Sequence, residues 1–289
     1  MWFIFALSFA FITSLTIILA KKVMQDMNEY SFLWFSGIFA IPFLLFIVVF
    51  FYQIPKLDLA FWINTLVSTI LNSFAAVFAY KAIKMSDVSL VAPISAFNPA
   101  FTAIISYIFL QEAISSKGIT GIILICSGAY LLQLSKKSKD PLEPLKVLLT
   151  HKGVQLSLLA YLIWAITPIF QKLAIIHTSP QVPPFASMIG LIGTTLIYTF
   201  PAIKFSNNLV VLAKRHIKLL LTVGFLGGIS QAVAFIAFNL TTLGYATAIF
   251  KLSIIFSVIL GGIFFIEHNI KERILGSTVM LLGIILLVI

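Results

Sequence analysis

Apolar residues dominate in long runs of about twenty positions, broken by short polar stretches. The runs fall at residues 2–20, 30–52, 60–84, 88–110, 117–134, 153–173, 183–203, 217–241, 243–266 and 271–289. Roughly 20 mostly apolar residues is the length at which a helix crosses a bilayer core. A helix also bonds its own backbone, which lipid cannot do for it. The pattern therefore predicts an all-α membrane protein of ten transmembrane helices. Some breaks, such as Ser86-Asp87 and the surroundings of Leu243-Gly244, are so short that they must join antiparallel hairpins. Only residues 135–152, with two prolines and five lysines, read as a linker, and they lie at the midpoint of the chain.

A linker at the midpoint suggests a duplication. Shifting the chain by 155 residues lays Glu112 on Glu267, Gly121 on Gly276 and Gly128 on Gly283. Apolar coincidences are cheap in this composition, but a Glu followed by two glycines at the same spacing, twice, is not. The expected organisation is a first five-helix repeat at 1–134, a basic linker at 135–152 and a second repeat at 153–289. Because five is odd, the two repeats must enter the membrane in opposite senses. Inverted repeats of this kind are the architecture by which many secondary transporters build a site near the midplane.

Composition agrees. Hydrophobic residues make up 61% of the chain and charged residues 10%, against roughly 45–50% and about 25% in soluble domains. The net charge of +10 comes from lysines and arginines scattered through the loops, a topological signal rather than a nucleic-acid surface. No nucleic-acid partner is expected. Cys126 is the single cysteine, which rules out an internal disulfide and a cysteine-based metal site. The first run lacks a basic leader and reads as an uncleaved span.

The motifs place the chain in a family. Residues 79–132 close a helix with Tyr/Phe-x-x-Ala, turn briefly, continue through a Pro-bearing helix, and end on Glu112 before a Gly-x6-Gly helix. Residues 235–289 repeat this, with Pro93 and Pro99 replaced by Ala248 and Ile254. Both stretches resemble the EamA domain of the drug/metabolite transporter superfamily. The resemblance implies a ten-helix carrier of two EamA units that moves amino acids, other metabolites or drugs by alternating access. The spans hold no convergent His and carboxylate groups of a catalytic kind, so no enzyme activity and no cofactor are expected.

Fifteen of the nineteen Lys and Arg residues fall in odd-numbered loops and three in even-numbered ones. By the positive-inside rule the odd loops are cytoplasmic and both termini face outward, opposite to the usual family orientation. The expected location is the cell membrane.

The nineteenth, Lys251, lies about eight residues into the ninth run, or about 12 Å at the helical rise. Ionisable side chains at that depth usually face a cavity or a partner. Lys251 is therefore a candidate counter-charge for an acidic cargo, with snorkelling as the structural alternative. The nine carboxylates all lie in loops or at helix ends, which disfavours a proton-coupled exporter of cations. The expected cargo is an amino acid or another zwitterionic or anionic metabolite, exported with a coupling proton or counter-substrate. The alternatives are a multidrug exporter of cationic or lipophilic compounds, a flippase of lipid-linked cargo, or, more remotely, a membrane-embedded enzyme.

Further substrate-binding candidates are the polar residues Ser14, Asn72, Ser95, Asn98, Trp164, Gln231 and Ser253, each of which could equally be interhelical glue. Glu112 and Glu267 are read as caps on the following helices, and Gly121, Gly128, Gly276 and Gly283 as the rest of the repeat signature. The histidines lack ligand spacing, and no metal is expected. Two joined halves make a monomer sufficient, with a dimer also compatible.

Overall fold

The computed structural model describes residues 1–24, 26–85, 92–133, 142, 146, 150–206, 208–265 and 270–288. Most of the expected linker, residues 86–91 and the stretch 266–269 that carries Glu267 lie outside the described residues. The chain is an all-α membrane protein of ten spans. The helices are α1 (Trp2–Met24), α2 (Glu29–Phe51), α3 (Leu59–Met85), α4 (Asn98–Leu110), α5 (Ser116–Gln133) and α6 (Lys152–Ile176), followed by α7 (Pro183–Phe205), α8 (Leu209–Leu240), α9 (Leu243–Phe250), α10 (Leu252–Phe265) and α11 (Ile270–Val288). A 3-10 helix, Ala92–Phe97, leads into α4, and α9 and α10 together make one span. Six helices are long and apolar enough to cross a membrane whole, and shorter apolar helices account for the remaining spans.

Boundaries follow local chemistry. Asn28 caps α2, its side chain accepting from Ser31 N at 2.8 Å. The eighth span begins eight residues earlier than its apolar run, because Asn208 accepts from Val211 N at 3.1 Å and starts a helix through the basic stretch Lys214–Lys218. An Asn placed to satisfy a free N–H is a strong helix start, and apolarity alone does not reveal it.

The chain divides into two compact units. Unit 1 comprises Met1–Ser73 and Phe170–Leu240. In it α8 packs on α1, α2 and α7, and α2 packs on α7. Lipid tails are as apolar as leucine, so such helices associate by close packing rather than by hydrophobic expulsion. Gly224 meets the backbone of Phe39, and a Cβ on Gly228 would come 2.9 Å from the Ala40 carbonyl oxygen. Thr13 and Ser230 share a hydroxyl hydrogen bond of 3.1 Å, and Trp34 Nε1 donates to Thr199 Oγ1 at 3.0 Å. Two short strands, β1 (Lys56–Leu57) and β2 (Thr178–Ser179), pair antiparallel. Beside them Asp58 accepts from Phe61 N at 2.8 Å and meets His177 Nδ1 at 2.7 Å.

Unit 2 comprises Phe74–Ile169 and Thr241–Ile289. Its core is the packing of α5 on α11, with α4 against α9. A Cβ on Gly121 would lie 2.8 Å from the Gly283 carbonyl oxygen, and one on Gly283 would lie 2.7 Å from that of Gly121. Gly128 and Gly276 face each other in the same way. Following α5 forwards means following α11 backwards, so these equivalent helices are antiparallel. The exchange of Gly121 with Gly276 and of Gly128 with Gly283 maps the contact onto itself. That is the inverted repeat at the level of single residues, and it explains the seven-residue spacing, which returns to one helix face after two turns.

Candidate functional site

Two polar clusters are embedded in the spans, one in each unit. That of unit 2 is centred on Tyr161 of α6. Its ring lies under the Lys251 ammonium, 5.5 Å from nitrogen to ring centroid, within cation–π range. Its hydroxyl is hydrogen-bonded with the Ser95 side chain. Its backbone carbonyl accepts from Asn98 Nδ2 at 2.9 Å. The Trp164 ring stands 5.6 Å from it, tilted by 53°. Four sequence candidates, Ser95, Asn98, Trp164 and Lys251, thus gather around a residue that sequence reasoning did not single out. The available signal was the three-residue step from Tyr161 to Trp164, which puts both rings on one face of α6.

Backbone geometry positions the lysine. Lys251 terminates α9 in an ordinary right-handed conformation, its N–H donating to the Ala248 carbonyl at 3.1 Å. Its own carbonyl accepts from Ile254 N at 3.0 Å. These three-residue bonds tighten the span into one 3-10 turn between α9 and α10. A break in mid-span turns backbone and side chain out of the helical repeat, a device common at transporter sites. On the other side of the cluster, the 3-10 helix passes into α4 at Asn98-Pro99, where proline has no N–H to continue a helical ladder. Asn98 therefore belongs to a helix junction. Among the described residues no carboxylate lies within ion-pair distance of Lys251. Ser253 lies one residue into α10, half-buried.

The cluster of unit 1 is a cleft lined by Ser68, Thr69, Asn72, Gln171, Ser187, Gly190, Thr194 and Gln231, with Leu191 and Phe235. It joins Asn72 of α3 and Gln231 of α8, two candidates that sit at similar places in their halves. The open space is about 20 Å³, room for about one water, so a metabolite does not fit it in this conformation. Ser14 lines neither cluster; it is fully buried and donates to the Phe11 carbonyl of its own helix at 2.6 Å.

Glu112 caps a helix distant in the chain. Its Oε2 accepts from Leu243 N at 2.8 Å, at the first residue of α9. A carboxylate at a helix N-terminus satisfies a free donor and meets the positive end of the dipole. Its repeat mate Glu267 lies outside the described residues. Among the described residues no three His, Cys, Asp or Glu side chains converge as metal ligands.

Comparison with known proteins places the chain. It aligns with a crystal structure of a protein at a TM-score of 0.79, covering 99% of this chain and 95% of that one at 10% identity, which shows a shared fold. It is 33% identical over 70 residues to uncharacterized protein MJ1333.1 of Methanocaldococcus jannaschii, covering 24% of this chain. The chain spans about half the length of that relative, 51%. Residues 1–134 and 151–289 each match the EamA-like transporter family. With both matches, ten spans and inverted halves in hand, the chain belongs to the EamA-like transporter family and is an integral, multi-pass membrane protein.

Proposed function

We propose that this transporter exports a small zwitterionic or anionic metabolite, such as an amino acid, across the cell membrane by alternating access. In this reading Lys251 faces the acidic group of the cargo, and the export is coupled to a proton or a counter-substrate. One observation carries it: a lysine deep in a span, set at a helix break and resting on an aromatic ring, with no carboxylate in ion-pair contact among the described residues. An ammonium in lipid is costly unless something answers its charge. The Tyr161 face answers part of it, to the extent of about 0.5–2 kcal/mol for a cation–π contact, and leaves the ammonium able to exchange that contact for a carboxylate. Ser95 and Asn98 support the reading by holding Tyr161 through its hydroxyl and its carbonyl.

The test is thermal shift of the purified protein in detergent against amino acids, nucleotides, organic acids and cationic dyes, run beside Lys251→Ala. The expected result is stabilisation by an acid-bearing compound that disappears in the variant. Stabilisation by cationic dyes alone, equal in both proteins, would replace this reading with that of a drug exporter.

A further inference from the structure

The cleft of unit 1 has an unusual balance of hydrogen-bonding groups. Each of its four hydroxyls has its proton committed to a backbone carbonyl. Ser68 donates to Thr65 O at 3.0 Å and Ser187 to Pro184 O at 2.8 Å. Thr69 and Thr194 both donate to Gly190 O, at 3.4 and 2.8 Å. A hydroxyl has one proton and two lone pairs, so these four present acceptor oxygens to the cleft. Asn72, Gln171 and Gln231 add three amide groups, whose orientation adapts to the occupant. Among the described residues, the amides of Gln171 and Gln231 have no protein partner. The lining contains no charged side chain. Its open space of about 20 Å³ suits an occupant of about one water.

A small hole rich in neutral oxygens is suited to a hard cation. Divalent ions are held through carboxylates, which this lining lacks, whereas coupling ions in transporters are held by neutral carbonyl-type oxygens near the midplane. An anion would find only the amide N–H groups as donors, since the hydroxyl protons are already used, whereas a cation finds the four hydroxyl oxygens and the amide oxygens together.

We infer that this cleft binds a small monovalent cation, whether an alkali ion or the ammonium head of an amine. As a coupling or cargo site it rests on the transporter reading, but its occupancy does not require transport to be seen.

The full chain in detergent is melted in choline chloride and in the chlorides of lithium, sodium, potassium and methylammonium at constant ionic strength. A small cation is expected to raise Tm with the logarithm of its concentration, by about 3 °C at ten times its dissociation constant. Thr69→Val and Thr194→Val, which keep the shape and lose the oxygen, should each abolish the rise relative to their own baselines, while Thr194→Ser retains it. Lys251→Ala, a change in unit 2, should also retain it, so loss of cargo binding and loss of ion binding are read separately. A rise with alkali ions assigns an ion site, and a rise with methylammonium alone assigns an amine site. Identical melting in all five salts, or a rise that survives both valine variants, overturns the inference.

Discussion

Lys251 was legible in the sequence because a charged residue inside an apolar run stands out against the cost of placing it in lipid. Tyr161 was not, since one tyrosine among many aromatic residues carries no such contrast, yet it joins four of the candidates. Its ring contact predicts a graded response. Tyr161→Phe keeps the cation–π face and loses only the bond with Ser95, so transport should fall modestly. Tyr161→Ala removes the face and should cost about 0.5–2 kcal/mol of that interaction, a loss of about two-fold to about thirty-fold in activity measured as kcat/KM. Equal activity in both variants would show that the ring does not support the lysine. Ser14 is the converse case: its place in a span suggested a cavity, while its hydroxyl donates within its own helix, and periodicity cannot tell the two apart.

Asp58 gives a residue-scale test outside the membrane. The Phe61 N–H, and after it His177, holds its carboxyl below the ordinary value of 3.8. A depressed carboxylate contributes stability that is present above the unfolded pKa and lost as pH falls through the lower folded value. Melting in detergent between pH 6 and 3 should show this acid limb, and Asp58→Asn should flatten it.

Among the elements, the Glu and glycine signature was readable as a repeat, and its physical basis lies in the α5–α11 contact. Sequence could show that Gly121 and Gly276 are equivalent, but not that Gly121 faces Gly283, because contact partners are set by packing rather than by spacing. Gly128→Ala would push a methyl against the Gly276 carbonyl and Met280; overpacking of this kind costs about 1–3 kcal/mol, read as a lowered Tm. Gly227 has nothing within 4 Å of its would-be Cβ, and Gly227→Ala should be neutral or stabilising. Glu112→Ala should lose a cap worth about 1 kcal/mol and loosen the start of α9, while Glu112→Gln, which keeps the acceptor oxygen, should recover most of it. The broken ninth span was not foreseen. AIFKLSIIF is apolar enough for a continuous helix, and the 3-10 turn at Lys251 has no proline or glycine to announce it.

For the whole molecule, ten spans and two halves followed from hydropathy and from an odd helix count. The compact units did not, because α1 and α2 pack with α7 and α8, and α5 packs with α11. Contact between helices of different halves brings Asn72 and Gln231 to one cleft, although 1–134 and 151–289 are the segments that match the family. Which side of the membrane the termini face is a proposal resting on the distribution of Lys and Arg. It predicts that a cysteine placed at residue 2, in a Cys126→Ala background, is labelled by an impermeant maleimide on intact cells.

The most direct test is counterflow in proteoliposomes of the acid-bearing compound found by thermal shift, with wild type and Lys251→Ala reconstituted in equal amounts. Saturable counterflow by the wild type, absent from a variant that still purifies as a folded monodisperse protein, is the expected result. Undiminished counterflow by Lys251→Ala would contradict the assignment of the cargo's acidic group to this lysine.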